Sequence, residues 1–287
     1  MRLGPFDSGD IDVRSSGGGG MGRAGGIGCG TLVIALIGAV VFGLDPMQTI
    51  GMVEGVQQQA APAGGSGDMS EDEVCAASAY ATEACGALAS LNATWEAAFA
   101  RNRIAFERPV LDLYRNGQVT TEGCGSASSA VGPFYCPADK GIYIDTSFYD
   151  QLAQMSGTGG DFARLYVIAH EYGHHIQNIT GLSDQVRQAQ QRNPAEANQL
   201  QVAMELQADC YAGMWAGQNR ERIEPGDLEE GLAAASAIGD DTLQRSAGQR
   251  INPESFTHGT SRQRMAALKR GLESQNDAAC DVFFEGA

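Results

Sequence analysis

Apolar residues recur every three or four positions from Val74 through Tyr80 or Ala81, Ala84, Leu88, Leu91, Trp95 and Phe99, the spacing of one long helix or two shorter ones. Ser70 and Glu73 precede this stripe with the spacing of a capping box, so a folded domain is expected to begin near Ser70. The pattern then shortens. Residues 109–115 and 118–121 read as extended segments on either side of Asn116-Gly117, a strong hairpin signal, and residues 142–145 read as a further strand. Past Gly157, Gly159 and Gly160 the helical period returns and holds over 161–180, 194–219, 227–238 and 261–273. Helix, a few strands, then mostly helices describes an α+β chain, mostly helical with a small, mainly antiparallel sheet. No internal repeat interrupts this order.

Ahead of that domain the pattern changes. Residues 1–26 mix Arg2, Arg14 and Arg23 with Asp7, Asp10 and Asp12 and then run into Ser and Gly, which reads as a disordered Gly-rich tail. Residues 27–44, IGCGTLVIALIGAVVFGL, are 18 positions without a charge. As a helix they reach roughly 27 Å, just short of a bilayer core, and predict one transmembrane anchor. A buried core helix is the competing reading. The flanks favour the anchor: Arg14 and Arg23 precede it and no Lys or Arg follows until Arg101, which places the tail in the cytoplasm and the domain, 71–287, outside. Ala61 and Ala63 resemble a signal-peptide cleavage site but stand far beyond the apolar run. Residues 45–70, rich in Gln, Ala, Gly and Pro, read as a flexible linker.

Composition narrows the function classes. The 287 residues suffice for one or two domains, and 35 acidic against 19 basic residues give a net charge of −16. So acidic a chain has no general attraction to nucleic acid. Cys29 falls in the expected anchor, leaving Cys75, Cys85, Cys124, Cys136, Cys210 and Cys280, an even six on the side expected to be oxidising. Cys124 with Cys136 and Cys210 with Cys280 are the preferred pairs. Cys75 and Cys85 on one straight helix would stand about 15 Å apart, so bridging them requires a break between them. A cysteine zinc site is disfavoured, because no C-x-x-C pair occurs.

The informative string is His170-Glu171-Tyr172-Gly173-His174, an H-E-x-x-H pattern inside a helical segment. Residues four apart lie about 40° apart round a helix, so both imidazoles can reach one metal ion, while Glu171 sits at the edge of that face. There it can take a proton from a water at the metal. His175 points about 140° away from His170 and should not share the ion. A catalytic zinc commonly has three protein ligands. Glu205 is the expected third, with Asp209 one turn on placed to orient a ligand histidine. An ordinary charged helix face is the bland alternative. Glu196 is the rival ligand but has Leu200, not an acid, four residues on. Cys210 points away from Glu205. His258, the histidine outside the motif, is the leading candidate to donate to the oxyanion, with Tyr143, Tyr149 and Arg262 as rivals. Residues 142–145 are a candidate strand edge for an extended substrate.

H-E-x-x-H followed by E-x-x-x-D resembles the gluzincin class of zinc metallopeptidases. The runs SAVGPFYC (129–136), VIAHEYGHHIQN (167–178), ELQADC (205–210), ASAIGDD (235–241) and SFTHGTS (255–261) narrow this to a resemblance to the bacterial family of neutral zinc metallopeptidases. The resemblance runs from about Phe106 to the C-terminus and includes a single N-terminal anchor with a Gly-rich leader. It implies a zincin-like fold and peptidase chemistry; Cys75 and Cys85 depart from its pattern.

The expectation is therefore a membrane-anchored peptidase outside the cytoplasmic membrane, one Zn2+ per chain on His170, His174 and Glu205, Glu171 as general base and a peptide or protein as substrate. Two other readings stand beside it: a non-catalytic binding or scaffold protein stabilised by zinc, and a zinc amidase acting on cell-wall peptides. Retention of Glu171 favours catalysis, since a structural site has no use for it.

Overall fold

The central sheet joins strands far apart in sequence. The computed structural model describes residues 1–16, 69–115 and 117–285. In it β1 (Asp12–Arg14), β2 (Val110–Tyr114), β6 (Gly141–Asp145) and β5 (Phe134–Cys136), numbered in chain order, lie side by side in that sequence. β1 and β2 run parallel with Val13 opposite Leu111, β2 and β6 run parallel with Leu111 opposite Ile142, and β5 closes the edge antiparallel to β6. A separate pair, β3 (Gln118–Thr120) and β4 (Ser126–Ser128), is antiparallel.

Three expectations are corrected here. The sheet is mainly parallel, not mainly antiparallel. The segments around Asn116-Gly117 do not form a hairpin with each other: β2 is captured by β1 and β6, while β3 turns to β4. Asn116 itself lies outside the described residues. β2 and β6 are buried almost throughout, which parallel interior strands require, and that burial outweighs a local turn preference. Residues 1–16 are not a disordered tail. Ile11 and Val13 lie in the core, and Arg14 Nε donates to Asp112 Oδ2 at 2.7 Å with Ser16 Oγ on the same oxygen at 2.7 Å. Three residues of strand carry too short a pattern to be read locally; the pairing surface lies almost a hundred residues away.

The anchor is the fourth correction. No helix among the described residues is long and apolar enough to cross a membrane. Residues 27–44, with most of the expected linker, lie outside the described residues. β1 pairs with β2, so residues 12–14 belong to the same sheet as the domain.

The helical part begins at α1 (Glu71–Ala76), capped by Ser70 and Glu73 in a reciprocal box. It stops, and α2 (Ala79–Arg101) starts from a fresh cap at Ser78. That break brings Cys75 and Cys85 to a Cα separation of 5.9 Å and a disulfide. Cys124–Cys136 and Cys210–Cys280 are also bonded. After α3 (Phe148–Ser156) come α4 (Asp161–Ile179), α5 (Leu182–Arg192) and α6 (Ala197–Gln218), then α7 (Asp227–Ala237), α8 (Asp240–Ser246) and α9 (Ser261–Ser274). α4 and α6 cross at Gly173, where an added Cβ would stand 2.9 Å from Ala208 Cα. α9 presses on α6 through Gly271, whose Cβ would collide with the Cys210 carbonyl. These close approaches bring α4, α6 and α9 into one interior layer, where the motif residues meet.

Candidate metal centre

The α4 period turns His170 and His174 toward α6, and the tight crossing at Gly173 and Ala208 leaves their rings facing Glu205. His170 Nε2 lies 3.1 Å and His174 Nε2 3.5 Å from Glu205 Oε2. These three residues form a group whose ligand atoms lie within 4.8 Å of one another, close enough for one ion to touch all three. Two imidazoles and a carboxylate suit zinc. No fourth His, Cys, Asp or Glu joins the group among the described residues.

Each candidate ligand is oriented by a second contact. His170 Nδ1 donates to Asp209 Oδ1 at 2.8 Å, and Tyr166 Oη donates to the same oxygen at 2.5 Å. His174 Nδ1 lies 2.9 Å from Gln177 Oε1, and Gln201 Nε2 donates to Glu205 Oε1 at 3.1 Å, leaving Oε2 toward the rings. Behind Asp209 stands Arg264, 2 % exposed, donating from Nε and Nη2 to the two carboxylate oxygens at 2.8 and 2.9 Å.

The electrostatics follow from burial among charges. Burial alone would push Glu205 up, but His174, His258 and the hydrogen bonds that both motif imidazoles give when doubly protonated outweigh it and hold Glu205 well below 4.5. Asp209, also buried, is brought down to about 2 by Arg264 and His170. Both acids are thus carboxylates ready to act as ligand and hydrogen-bond acceptor. Glu171 differs: burial pushes its carboxyl up from 4.5, with the nearby imidazoles opposing and Glu205 adding to the rise. Glu171 thus lies outside the candidate ligand group but is coupled by charge to all three of its members.

His258 lies on the segment before α9. Asp240 Oδ2 accepts from the backbone N–H groups of Thr257, His258 and Gly259 at 2.8, 2.7 and 3.0 Å, which pins that segment. His258 is near enough to lower Glu205 but makes no hydrogen bond to the ligand group among the described residues. The rivals are elsewhere. Glu196 is exposed in the turn before α6; Tyr143 is engaged by Arg14 and Asp139; Tyr149 packs edge-on against Tyr80; Arg262 faces solvent. His175 turns away from the ligands, with Nε2 2.7 Å from the Glu107 carbonyl and Nδ1 3.1 Å from Tyr135 Oη. The strand-edge expectation is also corrected: β6 is interior, between β2 and β5, and the edge belongs to β5.

Sequence reading missed Arg264, Gln177, Gln201 and Asp240. Arg264 carried a signal: it interrupts the otherwise small or apolar buried stripe Ser261, Ala267, Leu268, Gly271 and Leu272 of α9, where a charge needs a partner. The two glutamines carried none, because their partners lie across the α4–α6 contact or depend on the pose of a ligand.

Comparison with known proteins agrees with this chemistry. The chain is 50% identical over 199 residues to the uncharacterized protein YpfJ of Escherichia coli K12, covering 68% of this chain and 69% of that protein. It is 43% identical over 191 residues to an uncharacterized protein of Mycobacterium tuberculosis H37Rv, covering 62% of this chain and 63% of that protein. No solved structure matches it. Residues 7–283 match the family described as "Putative neutral zinc metallopeptidase", and the chain belongs to that family.

Proposed function

We propose that the protein is a zinc-dependent peptidase that hydrolyses peptide bonds in peptide or protein substrates. The observation that carries this reading is a three-ligand group with a buried, unligating carboxylate, Glu171, next to it. A structural zinc is usually closed by four protein ligands and has no use for such a base. His170, His174 and Glu205 would hold one Zn2+, which when bound would supply Lewis acidity toward the substrate carbonyl and acidify water. Glu171 takes the proton from the attacking water and returns it to the leaving amine. His258, held by the Asp240 cradle, donates to the developing oxyanion. Asp209 keeps the Nδ1 proton of His170 in place, so that Nε2 faces the ion.

The test pairs zinc stoichiometry with hydrolysis of an unfolded protein substrate in the full chain and in Glu171→Gln. One zinc per chain in both, with hydrolysis lost only in Glu171→Gln, supports the reading. Zinc uptake without hydrolysis of any peptide points to the non-catalytic zinc-stabilised protein, and absence of zinc from folded chain overturns the proposal.

A further inference from the structure

Gln177 is fully buried on α4, one turn beyond His174. Its Nε2 donates to the backbone carbonyl of Met204 at 2.7 Å and to Gln207 Oε1 at 3.0 Å. A carbonyl can only accept, so the amide NH2 must face Met204 and the amide oxygen must face His174. An amide oxygen can only accept in turn, so the proton of the neutral His174 ring is on Nδ1, 2.9 Å away. The ring lone pair is then on Nε2, the nitrogen 3.5 Å from Glu205 Oε2. Met204 immediately precedes Glu205 in the chain. One side chain thus links a candidate ligand on α4 to the backbone beside a candidate ligand on α6.

We infer that Gln177 is the positioning residue for His174, setting its tautomer and its distance from Glu205. The inference rests on the metal-centre reading above. His170 has a charged partner in Asp209, which in turn needs Arg264. Gln177 performs the corresponding service for His174 without adding a charge to a pocket that already contains Glu171, Glu205 and Asp209.

The experiment uses the full chain and two matched variants, Gln177→Met and Gln244→Met, each removing one buried amide; Gln244 bonds Ser255 and the Asn252 backbone and neither Gln177 nor a candidate ligand. Zinc affinity is measured by chelator competition and the fold of the metal-free proteins by thermal melting. Gln177→Met is expected to bind zinc about 10- to 100-fold more weakly, while Gln244→Met stays close to the parent. Equal loss in the two variants, or no loss in Gln177→Met, overturns the inference. Long-range 1H–15N NMR of the metal-free parent in alkaline buffer reads the tautomer directly, whether or not the variants fold. An Nδ1–H ring at His174 supports the inference and an Nε2–H ring overturns it. A parent that binds no zinc overturns the metal-centre reading instead, and the tautomer still decides this one.

Discussion

Arg264 and Asp209 meet fork to fork in the interior, Nε to Oδ2 at 2.8 Å and Nη2 to Oδ1 at 2.9 Å, with no more than 2 % of either residue exposed. The same Asp209 oxygen accepts from His170 and Tyr166, so the ion pair supports a candidate metal ligand from behind. Replacing Arg264 by Met leaves a buried carboxylate with its principal counter-charge removed. Urea unfolding should show a loss of about 3–5 kcal/mol. Zinc affinity should fall as well, and Arg264→Lys should not restore it, since an ammonium cannot reproduce the two-pronged contact.

Asp240 holds three consecutive backbone N–H groups on one oxygen, and the middle one belongs to His258. Asp240→Ala should therefore resemble His258→Ala in the assay: turnover down about 100-fold, with zinc content unchanged. Loss of zinc in Asp240→Ala would place its effect at the ligands instead of the oxyanion donor. Steady-state kinetics beside metal analysis separates the two outcomes.

β1 makes the N-terminal residues part of the sheet. Val13 is buried with Leu111 as its neighbour on β2, so Val13→Asp should destabilise the fold by about 3 kcal/mol or more. A chain lacking residues 1–16 should also melt lower, because the buried strand β2 becomes an exposed edge. Unchanged denaturation curves in both would show that the N-terminal strand does not dock.

His175 carries a pH-dependent contribution to stability. Burial lowers its pKa from 6.5 to about 4, against the opposing hydrogen bond to the Glu107 carbonyl. Between those values the unfolded chain binds a proton that the folded chain does not, so stability is full above 6.5 and is lost as pH falls toward 4. In chelator-treated protein the slope from this one group approaches about 1.4 kcal/mol per pH unit within the window. His175→Gln should flatten that part of the curve relative to the parent, as measured by urea unfolding at a series of pH values.

The residues forming the candidate site were grouped from sequence wherever one helix supplies the geometry. His170 with His174, and Glu205 with Asp209, share a face because residues four apart always do. The long helices were legible for a related reason: 161–180 and 261–273 carry stripes that bury one side, and the observed Asp161–Ile179 and Ser261–Ser274 follow them. The break between α1 and α2 was demanded by the reach of a Cys75–Cys85 bond, and the cap at Ser78 supplies it.

What depends on two segments meeting was not legible. Periodicity says that β2 is a strand but is silent on its neighbour, so the parallel pairing with β6 and the capture of β1 follow from burial on both faces of the sheet. The stripe of α9 marks Arg264, unlike Arg262, as a charge in need of a partner, but only the packing of α9 on α6 decides that the partner is Asp209. Gln177 and Asp240 acquire their roles from a carbonyl on another helix and from a loop folding back. Sequence alone nominated the candidate donors and fixed which of them share a helical face, His170 with His174 and Glu205 with Asp209, because that sharing follows from repeat geometry within one helix. The tertiary structure decided strand partners and the residues that hold those donors in place, because a hydrogen bond across elements has no local period.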